Sequence, residues 1–176
     1  MDEATKAVLI ERGVAEATIT AGGIPISPLF NPSGTKQTLR ARFGLEPNRL
    51  TVLLSSGSFG IGSYVPLLKH LEEFASKIQC LVVCGKNEAL QNTLNQTRFA
   101  FPVKVFGFVD FMHDLMEASD VLIAKSGGLT TAESLAKQIP MIVTDPIPGQ
   151  ETHNARFLKD HGAAFFIKYP VQVKTV

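Results

Sequence analysis

Short apolar runs alternate with amphipathic segments from residue 50 to the end of the chain. The apolar runs predict strands at Thr51–Ser55, Cys80–Cys84, Lys104–Phe106, Val121–Ala124, Met141–Thr144 and Ala164–Ile167. The segments between them predict helices at Val65–Ser76, Glu88–Phe99, Phe111–Ala118, Leu129–Lys137 and Glu151–Asp160. Such alternation is typical of an α/β protein with a doubly wound parallel sheet, in which helices cover both faces.

The first 49 residues have a different pattern. They predict a helix at Thr5–Arg12, a short strand at Thr18–Thr20 and a second helix at Lys36–Phe43. Between the strand and the second helix, glycines and prolines predict a bent, extended crossing at residues 22–28. Nothing before Gly22 is large enough to hold a core alone.

Composition narrows the class of protein. Hydrophobic residues make up 45% of the chain, which indicates a folded domain, and a net charge of +1 predicts no nucleic-acid partner. The only cysteines, Cys80 and Cys84, fit two buried thiols better than a disulfide or a metal site. No apolar run reaches the roughly 18 residues that a membrane helix needs, and the acidic start is unlike a signal peptide. We therefore expect a cytoplasmic protein, or one that sits on a membrane without crossing it.

Three strand-to-helix junctions carry candidate chemistry, and the first follows the first predicted strand. Residues 55–63 contain three glycines and four serines, whose backbone and hydroxyl donors can surround an anion. The spacing matches neither a dinucleotide fingerprint nor a P-loop. A phosphate site and a tight structural turn both fit this segment.

The second junction lies between the strand Val121–Ala124 and the next helix. The free N–H groups of Gly128, Leu129 and Thr130 at the helix start would face a phosphate, helped by the helix dipole. Glu133 lies one turn further on, where a carboxylate can accept both hydroxyls of a ribose. A capping arrangement of Glu133 with Ser126 or Thr130 fits the same pattern.

The third junction and one apolar loop complete the set. Gln150 and Glu151, after a proline-rich loop, suit the hydroxyls of a hexose, although Glu151 also suits a helix N-terminus and Gln150 a solvated loop. The loop at 107–112 either sandwiches a flat base or packs its aromatic residues under a helix.

Together these motifs resemble a known family. The segments Ser56–Gly60, Gly107–Val109, Gly127–Glu133 and Pro148–Ala155, with Gly23–Ile26 before them, are similar to the C-terminal nucleotide-sugar-binding domain of GT-B glycosyltransferases of family 28. Within it they look most like the monogalactosyldiacylglycerol synthases and the processive diacylglycerol glucosyltransferases. The resemblance implies a Rossmann-like sheet that forms one domain, the C-terminal one, of a GT-B fold.

The resemblance also implies a role for each site residue. The backbone of Val109 would meet uracil, Ser58 and the amides of residues 128–130 would hold the diphosphate, and Glu133 would bind the ribose. Gln150 and Glu151 would contact the sugar, and Glu151 favours a UDP-hexose because the peptidoglycan enzyme has Gln-Gln at these positions. The implied donor site comprises Gly57, Ser58, Phe59, Phe108, Val109, Gly127, Gly128, Leu129, Thr130, Glu133, Gln150, Glu151 and Asn154, with no metal and no cofactor besides the UDP-sugar substrate.

Finally, the resemblance implies that this chain is part of an enzyme. Residues 1–22 would be the tail of an N-terminal acceptor domain, residues 23–49 an interdomain crossing and a helix, and residues 50–176 the donor-binding domain. The general base and the acceptor site would belong to that other domain, so no catalytic residue is assigned here.

The expected activity is inverting transfer of a hexose from UDP to a lipid such as diacylglycerol, at the inner face of the membrane. Three alternatives stay open. One is a subunit of a split transferase, active only with a partner acceptor domain. The others are a UDP-N-acetylglucosamine transferase and an epimerase.

Overall fold

A computed structural model describes residues 3–55, 57, 64–144, 146 and 149–174, excluding the side chain of Gln150. The strands are β1 (Leu50–Ser55), β2 (Ile78–Val83), β3 (Val103–Phe106), β4 (Val121–Ala124), β5 (Met141–Thr144) and β6 (Ala164–Ile167). The α-helices are α1 (Glu3–Glu11), α2 (Lys36–Arg42), α3 (Tyr64–Leu71), α4 (Glu88–Gln96), α5 (Met112–Ala118), α6 (Gly128–Ala136) and α7 (Gln150–Asp160). Short 3₁₀ helices occupy Glu16–Thr18, Pro28–Phe30, Glu72–Phe74 and Pro170–Lys174.

The six strands form one parallel sheet in the order β3-β2-β1-β4-β5-β6. Every residue of β2 is buried, as expected for a strand that helices cover on both faces. The order reverses between β1 and β4, which makes that position the topological switch point of the sheet. The predicted doubly wound parallel sheet is therefore confirmed, with all six strands near their predicted positions.

Two separate hydrophobic clusters, one on each face of the sheet, form the core. On one face, α3 and α4 pack over side chains of β1, β2 and β4. On the other face, α2, α5, α6 and α7 cover the remaining inward side chains. The buried thiols of Cys80 and Cys84 lie in the first cluster, as the sequence predicts.

The N-terminal region differs partly from its prediction. The predicted strand at Thr18–Thr20 is wrong, because Glu16–Thr18 forms a 3₁₀ turn. The Thr18 hydroxyl closes this turn by donating to the Ala15 carbonyl at 2.7 Å. β-branched residues favour a strand only where a neighbouring strand can pair with them, and the sheet pairs none with this segment.

Two helices are shorter than predicted. Helix α3 ends at Leu71 and continues as a 3₁₀ turn, and α4 ends at Gln96. At the end of α4 the Thr97 N–H bonds back to the Leu94 carbonyl, and the backbone of Thr97 is extended. Helical periodicity in the sequence thus locates these helices correctly but overestimates their length.

The segment after residue 29 is integrated into the folded body. Phe30, Leu39 and Leu45 are buried in the core, whereas α1 contributes no buried residue. Within the residues described, no helix has the length and apolarity needed to cross a membrane.

The amino ends of the strands carry a network of paired charges. Lys36 and Arg40 of α2 form ion pairs with Asp120, whose carboxylate also accepts from the Thr51 N–H at 2.7 Å. A small cavity of about 150 Å³ lies beside these charges. We call this side of the molecule the amino edge.

On the same edge Lys137 pairs with Glu117 at 2.8 Å, and their side chains are only 2% and 9% exposed. Glu117 also accepts from the N–H groups of Ser33 and Gly34, and Lys137 donates to the Asn31 carbonyl. These contacts fasten the N-terminal segment to the sheet domain.

Candidate donor site

The candidate residues that the structure describes lie at or after the carboxyl ends of β3, β4 and β5 and of β1, on the side of the switch point between β1 and β4. Parallel α/β sheets bind ligands in the crevice at this position, because two neighbouring loops diverge there. Strands β1, β3, β4 and β5 all end at this side of the sheet, which we call the crevice edge.

Helix α6 begins in this crevice with an uncapped N-terminus. Its N-cap is Gly127, no side chain caps it, and the first intrahelical bond runs from Thr131 N–H to the Gly127 carbonyl. The N–H groups of residues 128–130 therefore precede the first intrahelical bond. Three such donors and the positive end of the helix dipole suit an anion.

Glu133 lies on the same helix, one turn from these donors. Its side chain is half-buried, and among the described residues it has no recorded hydrogen bond or ion pair. Burial raises the pKa of this carboxyl above its usual value. The capping alternative has no support here, since the Ser126 hydroxyl bonds elsewhere and the helix lacks a side-chain cap.

Two side-chain hydrogen bonds connect the β4–α6 turn to the start of α7. The Ser126 hydroxyl donates to the Glu151 carbonyl at 2.6 Å, and the Asn154 amide donates to the Ser126 carbonyl at 2.8 Å. A Cβ added to Gly127 would lie 3.8 Å from Oε1 of Glu151, so this carboxylate lies next to the turn. The structure thus brings Gly127, Glu151 and Asn154 together, and Asn154 uses its Nδ2 within the protein.

The loop after β3 divides its side chains between core and surface. Val109, Phe111 and Met112 pack against the core cluster, whereas Phe108 is 65% exposed. The Lys86 ammonium lies 5.9 Å from the centre of the Phe108 ring. Packing therefore accounts for three of these residues but not for Phe108, which presents an aromatic surface at the crevice edge.

Three predicted donor contacts lie outside the described residues or side chains, namely Ser58, Phe59 and the side chain of Gln150. Gly57 has a φ of +69° and Gly149 a φ of +99°, in a region that residues with a side chain rarely adopt. Leu129 is 58% exposed on the first turn of α6.

Lys125 is a crevice residue that the list of predicted contacts omits. It directly follows β4 and is half-buried, and no ion pair or hydrogen bond is recorded for its ammonium among the described residues. The sequence feature that could have identified Lys125 is its position as a charged residue directly after an apolar strand.

Comparison with known proteins assigns the family. Residues 51–174 match the glycosyltransferase family 28 C-terminal domain. The chain belongs to this family. Within family 28 it is similar to the processive diacylglycerol beta-glucosyltransferase of Bacillus pumilus, with 35% identity over 164 residues, 92% of this chain and 43% of that protein. The resemblance found in the sequence is confirmed.

Solved structures agree with the fold of a family 28 glycosyltransferase domain. Acinetobacter baumannii MurG superposes with a TM-score of 0.64 and 22% identity, covering 90% of this chain and 48% of that one. Anabaena Alr3699/HepE, solved in complex with UDP-glucose, superposes with a TM-score of 0.66 and 19% identity, covering 99% and 50%. This chain spans less than half the length of the curated relatives it matches.

Proposed function

We propose that this chain is the donor-binding domain of an inverting glycosyltransferase, which transfers a hexose from UDP to a lipid acceptor such as diacylglycerol. One observation carries the proposal: an unpaired, half-buried carboxylate, Glu133, lies one turn below three free N–H groups at the switch point of a family 28 domain. A nucleotide fits both groups. Its ribose hydroxyls can donate to the carboxylate, and its charged phosphates can accept from the N–H groups of the helix start.

In this proposal, each part of the donor contacts a different group of the domain. The N–H groups of residues 128–130 would hold the diphosphate, and Glu133 would accept from the ribose hydroxyls. Phe108 and the backbone of Val109 would meet the base, and Glu151, with Gln150, would meet the hexose. The similarity to a diacylglycerol glucosyltransferase supports both a hexose donor and a lipid acceptor.

The proposed reaction needs a second domain. A base there takes the proton of the acceptor hydroxyl, whose oxygen then bonds to the anomeric carbon of the hexose. The bond from that carbon to the diphosphate oxygen breaks, and its electron pair leaves with UDP. The helix α6 N–H groups would stabilise the charge on the departing diphosphate. We therefore propose that this chain alone binds donor but transfers little or no sugar.

Calorimetric titration with UDP, UDP-glucose, UDP-galactose and UDP-N-acetylglucosamine tests the proposal. We expect UDP to bind and the hexose donors to bind more tightly than the N-acetylated one. Glu133→Gln should weaken UDP binding at least tenfold, since the ribose hydroxyls lose a charged acceptor. Glu88→Gln, on the exposed first turn of α4, is the matched control and should leave binding unchanged.

Two results would contradict this function. A folded chain that binds none of these nucleotides would exclude a preformed donor site. Rapid glucosyl transfer to diacylglycerol vesicles by the chain alone would contradict the requirement for a second domain.

A further inference from the structure

Lys125 is set apart from the other basic residues of the domain by its surroundings. Seven described lysines and arginines have no recorded side-chain ion pair, hydrogen bond or ring contact, and six of them are exposed: Arg12, Lys77, Arg98, Lys104, Arg156 and Lys159. The seventh, Lys125, is half-buried. Among the described residues, the structure therefore keeps one cation partly out of water without an ion-pair partner.

We infer that Lys125 binds the diphosphate of the nucleotide-sugar donor and thereby adds a positive charge to the backbone donors of α6. This inference rests on the proposed function. Lys125 is not among the predicted donor-site residues, so the inference adds a new side-chain contact with the ligand.

The position of Lys125 in the sheet supports this contact. Along β4, Val121 and Ile123 belong to the cluster under α3 and α4, while Leu122 and Ala124 belong to the cluster under α5 and α6. Continuing this alternation places Lys125 on the face covered by α3. Because β4 pairs with β1 where the strand order reverses, Lys125 directly follows β4 at the switch point and precedes α6 by three residues.

The electrostatics of the crevice point to an anionic ligand. Lys125 is only three residues before the N-terminus of α6, whose dipole places partial positive charge there. A half-buried ammonium without an ion-pair partner is less favourable than a solvated one until an anion binds to it. A diphosphate offers several acceptor oxygens to an ammonium that has three donors. Its negative charge can balance both the positive end of the helix dipole and the charge of the lysine.

The nearby acid does not satisfy Lys125. Glu133 is also half-buried, yet no ion pair of 4 Å or less joins it to Lys125 among the recorded contacts. At the amino edge, by contrast, the partly buried Lys36 is paired with Asp120. The two unpaired crevice charges thus match two different parts of one ligand, the phosphates and the ribose hydroxyls.

The test compares UDP with uridine, which lacks the phosphates. UDP binding is measured by calorimetry and the weaker binding of uridine by NMR titration. For Lys125→Met we expect UDP affinity to fall at least tenfold, uridine affinity to stay unchanged and the salt dependence of UDP binding to decrease. Lys125→Arg, which keeps the charge, should retain most of the UDP affinity.

Lys77→Met is the matched control, because Lys77 is exposed, has no recorded side-chain partner and immediately precedes β2 at the amino edge. It removes the same charge from the protein and should change UDP affinity less than twofold. A loss of similar size in Lys125→Met and Lys77→Met would show a general effect of net charge and would overturn the inference.

The two proposals fail in different ways. If wild-type protein and Lys125→Met bind UDP equally, the role of Lys125 is excluded while the donor site stands. If Lys125→Met weakens uridine as much as UDP, the lysine acts on the shape of the site and not on phosphate. If the folded wild-type chain does not bind UDP, the proposed function and the inference are both wrong.

Discussion

The two edges of the same sheet differ in whether their partly buried charged residues have partners. At the amino edge, Asp120 and Glu117 have ion-pair partners and also accept from backbone N–H groups. At the crevice edge, Lys125 and Glu133 are half-buried, with no recorded partner among the described residues. The paired charges at the amino edge hold the fold together, whereas we propose that Lys125 and Glu133 at the crevice edge serve a ligand.

The pKa shifts of the acids follow the same division. Burial alone would raise the pKa of Asp120 and of Glu117, but hydrogen bonds and the charges of Lys36 and Arg40, or of Lys137, outweigh it and lower both values. Glu133 experiences burial without such partners, so its pKa is raised. The ionised form is thus stabilised at the amino edge and destabilised at the crevice edge.

Breaking the pair at the amino edge should have the largest effect on stability. Glu117→Leu leaves the Lys137 ammonium buried without its carboxylate, and we expect a loss of about 3–5 kcal/mol in the free energy of unfolding, measured by urea denaturation. Glu73→Leu removes an acid whose pair with Lys174 is more exposed, and should cost at most about 1 kcal/mol.

Binding provides the second readout for this pair. At a temperature where Glu117→Leu is still folded, its affinity for UDP should equal that of the wild type, because Glu117 lies at the opposite edge of the sheet. Equal stability of Glu117→Leu and Glu73→Leu would contradict the structural role that we assign to the amino edge.

Asn154 sharpens the comparison, because it lies at the crevice edge but uses its amide within the protein. Asn154→Ala removes the bond to the Ser126 carbonyl, and we expect unfolding measurements to show a loss of about 1–2 kcal/mol. Asn95→Ala, at an exposed position of α4, should change stability by less than about 0.5 kcal/mol. Weaker UDP-glucose binding at unchanged stability would instead indicate that Asn154 acts only as a ligand contact.

The smallest effect concerns the pH dependence of Glu133. Because its folded pKa is raised, its contribution to stability is full below the unfolded pKa and is lost as the pH rises through the folded pKa. Glu133→Gln has no charge to bury and should therefore be slightly more stable than the wild type near pH 7. Urea denaturation between about pH 4 and about pH 7 should show this gain disappearing as the solution becomes acidic.

For Asp120 and Glu117 we expect the opposite pH dependence of the free energy of unfolding. Their lowered pKa values add stability above the unfolded pKa, which is lost as the pH falls through the folded values. A gain for Glu133→Gln that grows toward acid pH would mean that the Glu133 carboxylate has a stabilising partner in the folded protein.

Much of the fold could be predicted from local pattern. Apolar runs marked all six strands, since a strand covered on both faces must be apolar, and helical spacing marked α2 to α7 near their observed positions. The strand at Thr18–Thr20 could not be excluded in this way, because its β-branched residues favour a strand without revealing that no neighbour pairs with them.

The site was predictable to the extent that its chemistry is local. The Gly127–Glu133 segment itself indicates a helix start with free N–H groups and an acid one turn later. Whether Glu133 caps the helix or stays unpaired depends on the Ser126 hydroxyl, which bonds to the Glu151 carbonyl on another helix. The separation of exposed Phe108 from packed Phe111 likewise depends on contacts across the fold.

The sequence by itself determined the kind of domain, the order of its elements and the family, because hydrophobic periodicity and short motifs are properties of neighbouring residues. Only the tertiary structure decided which charges are paired, because a partner such as Glu117 for Lys137 comes from another helix. The same reason applies to Lys125: the role that we propose for it follows from half-burial without a recorded partner among the described residues, and burial is a property of the packed chain.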